Sequence, residues 1–150
     1  MNVQLKTRHF GTIEVDEKDI IDFPEGILGF EYIKRFVILG KNEEGNPFHW
    51  LQGVDDPDIA LVIIDPRTFK PDYVVEVPDE EVEILEIKDP EKVLVFSVVV
   101  VPEDLSKMTA NLSAPILINI ENSKGKQVVM DNEEYPIKYY FMEELRKVGG

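Results

Sequence analysis

The sequence predicts an all-β protein, a small antiparallel β-barrel-like or sandwich domain with short helical pieces. Three observations carry this. Apolar and polar residues alternate at Val3–Leu5 and Phe48–Gln52, the period of a half-buried strand. Apolar runs at Phe36–Leu39, Ile59–Ile64 and Val93–Val101, the last interrupted only by Ser97, suit strands covered on both faces. Pro47, Pro57, Pro66, Pro78, Pro90, Pro102 and Pro115 punctuate the chain at intervals of 9–13 residues, the spacing of short strands joined by turns.

In chain order, Val3 and Leu5 lie on one face of a first strand, and Phe10–Val15 forms a second with a bulge or bend at Gly11. Asp16–Asp22 is acidic and turn-like, and Ile20 and Ile21 lead into Phe23–Phe30, FPEGILGF. Pro24 fixes its own φ and pushes Phe23 towards an extended conformation. Gly26 and Gly29 supply positive φ, so the chain turns twice in a short space. Phe23, Leu28 and Phe30 are the expected anchors, which makes Phe23, Pro24, Gly26, Gly29 and Phe30 a structural loop. Glu31–Arg35 is expected as a helical turn before the Phe36–Leu39 strand.

Beyond that strand, Lys41–Pro47 is a polar turn, and Asp55, Asp56, Pro57 and Asp58 mark a corner before Ile59. After Pro66 and Pro71 a strand resumes at Tyr73–Val77. Pro78–Ile87 fits two forms. Its acidic first turn suits a helix start, while Val82, Ile84 and Glu86 also fall on one face of a strand. Pro102–Pro115 reads as a long connection with a helical piece at Ser106–Met108. Ile116–Ile120 and Gln127–Met130 flank a hairpin turn, and the tail from Glu134 ends in a short helix with Phe141, Leu145 and Val148 on one side.

At 150 residues the chain suffices for one domain, 1–150, with a core that needs no disulfide. It has no cysteine, which excludes thiolate metal sites and fits a reducing cytoplasm. MNVQLKTRHF has no apolar core of a secretory signal, and the longest apolar run, Val93–Val101, is nine residues, too short for a membrane helix. The expectation is a soluble cytoplasmic protein. Sixteen Lys and Arg against 30 Asp and Glu give a net charge of −14. Such a body repels phosphate backbones and attracts basic proteins.

Catalytic chemistry has little to stand on. Asp55, Asp56 and Asp58 offer three carboxylates, the donor type of a hard cation, but no EF-hand spacing follows and Pro57 makes a turn the simpler role. His9 and His49 are the only histidines, no serine lies in a nucleophile elbow and no glycine-rich phosphate loop precedes a helix. No cofactor is expected. The stronger feature is Asp79–Glu91, with Asp79, Glu80, Glu81, Glu83, Glu86, Asp89 and Glu91. A charge run is usually a solvated face; it also steers a basic partner.

Four stretches together resemble one family. FPEGILGF, PFHWLQGVDDPDIALVIIDP (Pro47–Pro66), MTANLSAPILIN (Met108–Asn119) and GKQVVMDNEEYPI (Gly125–Ile137) are similar, in order and over nearly the whole chain, to the flagellar assembly factors called FliW. The resemblance implies a non-enzymatic β-barrel-like protein, a monomer when free, with two partners. One is flagellin, bound near its terminal helices. The other is the translational regulator CsrA, bound when flagellin is absent and stopped, without competition for its RNA site, from repressing flagellin messenger RNA.

Expected partner contacts are Met108 and Leu112, the best apolar candidates near loops, then Phe48 and Trp50, for which core packing is the competing role. Glu80, Glu81, Glu83 and Glu86 are the expected acidic contacts. Direct nucleic-acid binding and membrane binding are not expected. The other reading is a small β-barrel enzyme or metal-binding domain using Asp55, Asp56 and Asp58.

Overall fold

The computed structural model describes residues 2–40 and 46–149. The first two strands, β1 (Asn2–Thr7) and β2 (Gly11–Asp16), form a hairpin by themselves. Their ladder runs without a bulge from Asn2↔Asp16 to Thr7↔Gly11. Gly11 takes φ +67° where the turn enters β2, so the expected bend is real but belongs to the turn. The Lys41–Pro47 turn expected from sequence lies largely outside the described residues.

Seven further strands close into a barrel: β3 (Ile20–Asp22), β4 (Arg35–Leu39), β5 (Phe48–Gly53), β6 (Ala60–Ile64), β7 (Val93–Val100), β9 (Ile116–Asn119) and β10 (Lys124–Gln127). β8 (Thr109–Ala110) and β11 (Tyr139–Tyr140) extend the sheet outward from β7. β7 is the hub. Val93–Phe96 pair with β9, Ser97–Val99 with β6, and Val99 and Val100 with β8. Every pairing is antiparallel except the closing one, where Lys124 of β10 faces Asp22 of β3 in parallel.

The apolar runs are explained by cover on both faces. Phe36 and Ile38 point into the barrel with Ile21, Leu51, Ile63, Phe96, Ile116 and Ile118. Val37 points outward, where Leu5 and Val15 of the hairpin cover it. Val95, Val99 and Leu117 also point outward and are covered by Tyr73, Leu85, Leu112, Val128, Tyr135 and Phe141. The barrel therefore carries an outer apolar layer, made largely of segments without regular structure.

Several local expectations are corrected. Glu31–Arg35 is a turn running into β4, because the Asp55 carboxylate accepts the Lys34 and Arg35 amides at 2.8 and 3.0 Å and draws them out of any helix. Tyr73–Val77 joins no ladder. The Val74 amide donates to the Tyr135 hydroxyl at 3.2 Å and the Glu76 amide faces Met130 Sδ at 3.3 Å. Asp16–Asp22 includes β3 and a single 3-10 turn, Glu17–Asp19. Pro78–Ile87 is neither helix nor strand but two 3-10 turns, Asp79–Glu81 and Glu83–Leu85. The second arm of the late hairpin is β10 at Lys124–Gln127, with Ser123 at φ +56° completing the turn, and not Gln127–Met130. The 3-10 turn Leu105–Lys107 and the helix α1 (Met142–Gly149) lie where short helices were expected.

Candidate functional site

Phe23–Phe30 folds as a double turn closed by the Gly26 amide on the Phe23 carbonyl (2.9 Å) and the Phe30 amide on the Ile27 carbonyl (2.7 Å). Gly26 and Gly29 have φ +70° and +88°. Gly26 is also sterically required, since a Cβ there would lie 2.6 Å from the Glu31 Cα. Phe23 is fully buried, its ring edge-on to Phe36 with centroids 5.2 Å apart. It sits against the bare backbone of Gly125 in β10, where a Cβ would meet the ring at 2.5 Å. Of the other two anchors, Leu28 is corrected: it is 59% exposed, and Ile27 takes the inward position at 2%, while Phe30 is half-buried and packs against the barrel core.

β10 then ties this loop to the acidic segment. Gln127 accepts the Leu28 amide at 2.9 Å and donates to the Ala114 carbonyl at 3.0 Å. Lys126 Nζ lies 3.2 Å from a Glu25 carboxylate oxygen and 3.3 Å from one of Glu81, and donates to the Glu81 carbonyl at 2.6 Å. Lys124 pairs with Glu86 at 3.0 Å. Burial alone would lower the Lys126 ammonium, but the hydrogen bonds and charges of Glu25 and Glu81 outweigh it and hold it above its ordinary value.

The acidic segment is pinned by one apolar side chain and one carbonyl. Leu85 is fully buried, and its carbonyl accepts Asn119 Nδ2 at 2.9 Å and Asn122 Nδ2 at 2.8 Å. Glu86, at φ +50°, ends the second 3-10 turn. Glu80, Glu81, Glu83 and Glu86 are all exposed. Glu81 and Glu86 are neutralised by the β10 lysines; Glu80 and Glu83 form no ion pair among the described residues. A cleft of about 530 Å³ runs beside Lys126, lined by Glu25, Glu76, Glu81 and Asp131 with Pro78 and Val129. Val129 is 62% exposed while Val128 is buried. Val128, Val129 and Met130 are all apolar, so the sequence does not mark Val129 as the exposed one; the alternation of burial appears only in the structure.

Replacing Lys126 with Met is expected to lower stability by about 1 kcal/mol, since Glu25 and Glu81 are half-exposed and regain water. Amide exchange should rise in both the loop and the acidic segment. Because the folded ammonium value is raised, this contribution is complete below the ordinary value of 10.5 and is lost as the pH rises through the folded value. A wild-type-minus-variant difference already lost near neutral pH would contradict the assignment.

The remaining sequence candidates fall elsewhere. Met108 (6%) and Leu112 (0%) are packed in the outer apolar layer rather than displayed on a loop, because Met108, Ala110 and Leu112 share its buried face. The Leu112 amide donates to the Pro136 carbonyl and its carbonyl accepts the Tyr73 hydroxyl at 2.7 Å. Phe48 is half-buried against Phe141. Trp50, also half-buried, stacks on His9 and meets Phe10 edge-on.

At the aspartate corner, Asp55 binds the Lys34 and Arg35 amides and the Arg35 guanidinium, with the Nη2–Oδ1 distance 2.9 Å. Burial would raise its carboxyl, yet these donors hold it below the ordinary value. Asp56 accepts the Tyr32 hydroxyl at 2.8 Å and the Asp58 amide at 3.2 Å. The corner is a structural clamp across β4 and β5, and no group of three or more metal-binding side chains is found among the described residues.

The family model described as FliW protein matches residues 4–141. The chain belongs to the FliW family. It is 50% identical over 144 residues to the flagellar assembly factor FliW of Caldanaerobacter subterraneus subsp. tengcongensis, covering 96% of each chain. It is 35% identical over 147 residues to the flagellar assembly factor FliW of Treponema denticola, covering 98% of this chain and 99% of that one. A crystal structure of the flagellar assembly factor FliW superposes with a TM-score of 0.84 at 36% identity, covering 93% of this chain and 96% of the other. The FliW relatives carry the name of flagellar assembly factors. No helix among the described residues is long and apolar enough to cross a membrane.

Proposed function

We propose that this protein is a cytoplasmic, non-enzymatic adaptor of flagellar assembly that binds flagellin before its export. When free of flagellin it binds CsrA and relieves repression of flagellin synthesis. Family membership supports the flagellar role. The observation that carries the CsrA reading is the acidic face: Glu76 and Asp131 line one cleft together with Lys126 and its partners Glu25 and Glu81, and Glu80 and Glu83 are exposed on the same segment as Glu81, on a chain of net charge −14.

A regulator that binds RNA must present Lys and Arg to phosphates. An acidic protein docked beside that surface raises the cost of bringing RNA in. Two like charges 8 Å apart repel by about 0.5 kcal/mol in bulk water and by about 2 kcal/mol at an effective dielectric of 20. A few unpaired carboxylates thus weaken RNA binding without occupying its site. The aspartate corner gives the metal-enzyme reading no support, since the Asp55 and Asp56 carboxylates are held by protein donors.

Neutralising Glu80 and Glu83 to Gln leaves the Lys124 and Lys126 pairs intact, so stability is expected within about 0.5 kcal/mol of wild type. Adding Glu81→Gln and Glu86→Gln removes those pairs as well. Both variants should antagonise RNA binding by CsrA less than wild type, most visibly at low salt. Equal antagonism by wild-type and neutralised proteins at low salt would remove this segment from the mechanism.

A further inference from the structure

The irregular segment from Tyr73 to Pro90 leaves a groove of about 480 Å³ against the barrel wall. Val75, Val77, Val82 and Ile87 form its sides, and Val93 and Leu117 line it from β7 and β9. All but Leu117 are only half-buried, so aliphatic surface remains available there. The volume lies within the range of natural binding pockets.

Its border is net acidic. Arg67 lines the groove and keeps its positive charge while its Nε donates to the Tyr73 carbonyl at 3.3 Å, and Lys88 and Lys92 are exposed next in sequence to the lining residues Ile87 and Val93. Glu76 also lines it, and the segment that supplies Val77 and Val82 carries Asp79, Glu80 and Glu83, all exposed.

We propose that this groove seats an amphipathic basic segment of a protein partner. The segment's apolar side chains lie between the valines, and its Lys and Arg side chains lie over Glu76, Asp79, Glu80 and Glu83. Apolar walls give such a segment its burial, and the acidic border selects its charge. A nucleic acid meets the wrong sign of charge, and an acidic helix is repelled at the border. The inference deepens the reading above, resting on its basic partner and giving that partner a seat.

The test titrates the full chain with three synthetic peptides of about 18 residues, long enough to hold a helix. The first carries a Leu stripe at helical spacing on a Lys background. The second has the same composition with the stripe scrambled. The third has the stripe on a Glu background. The first should bind at least about ten-fold tighter than either control. Amide shifts of the unaltered chain should centre on residues 75–77, 82–87 and 93–95. Val77→Lys, with wild-type circular dichroism and unfolding midpoint, should weaken it about ten-fold. If that variant does not fold, the shift map decides alone.

Equal binding of the scrambled peptide, equal binding of the acidic one, shifts centred elsewhere, or self-association of the chain that displaces the peptide would each overturn the proposal. Failure here is separable from failure of the regulator reading. A chain that antagonises RNA binding without groove shifts loses only the groove, and one that binds the peptide but ignores the regulator loses only that reading.

Discussion

Phe23→Ala is expected to destabilise the protein by about 3–5 kcal/mol, read from the shift in denaturant midpoint at constant slope. The ring is fully buried, stands edge-on to Phe36 and fills the space that the missing side chain of Gly125 leaves open. Its loss opens a cavity between the loop and β10, and neither backbone can close it, because the Phe23 amide is held by the Lys34 carbonyl at 2.7 Å. The effect should spread. Glu25 lies two residues on and is one of the two carboxylates holding Lys126, so hydrogen exchange should rise in the acidic segment too. A loss below about 1 kcal/mol would show that the ring is not a core group.

Leu112→Ser should cost about 3–6 kcal/mol, the ~2–5 kcal/mol of removing a buried leucine plus part of the ~1–3 kcal/mol for burying an unpaired hydroxyl. Leu112 has no exposed surface, and both its backbone polar groups are engaged, so the hydroxyl has no partner in reach of simple relaxation. Met108→Ser should cost less, because that side chain lies at the end of a 3-10 turn with some exposure. Flagellin binding by either variant should fall in step with the unfolded fraction. A Leu112→Ser protein that is fully folded yet no longer binds flagellin would make the leucine a contact that the partner uncovers.

How far the sequence speaks depends on the range of the force involved. β4, β6 and β7 are legible because each is a run of apolar side chains covered on both faces. β3 is not, since Ile20–Asp22 is three residues long and gains its strand form only from β4 and β10. At Tyr73–Val77 the alternating burial of a strand is present: Tyr73 is buried, Val74 and Glu76 are exposed, and Val75 and Val77 are half-buried. The pairing is not, because the amides go to side chains more than fifty residues away.

The acidic run is legible as an exposed face. The lysines that neutralise part of it are not, since Lys126 meets Glu81 across 45 positions of sequence. Met108 and Leu112 look displayed because polar residues surround them, yet alternation through Met108, Ala110 and Leu112 is itself a strand signal. In the Phe23–Phe30 loop the glycines are legible from their turns, while the choice of Ile27 over Leu28 as the anchor depends on where the second turn aims each side chain.

The central claim is a switch between two partners, and one titration tests it. RNA affinity of CsrA is measured alone, with saturating protein, and with saturating protein plus increasing flagellin. The protein is expected to weaken RNA binding and flagellin to restore it at stoichiometric amounts, with the first effect shrinking as salt rises. RNA affinity unchanged by the protein at low salt, or antagonism that excess flagellin leaves intact, would contradict it.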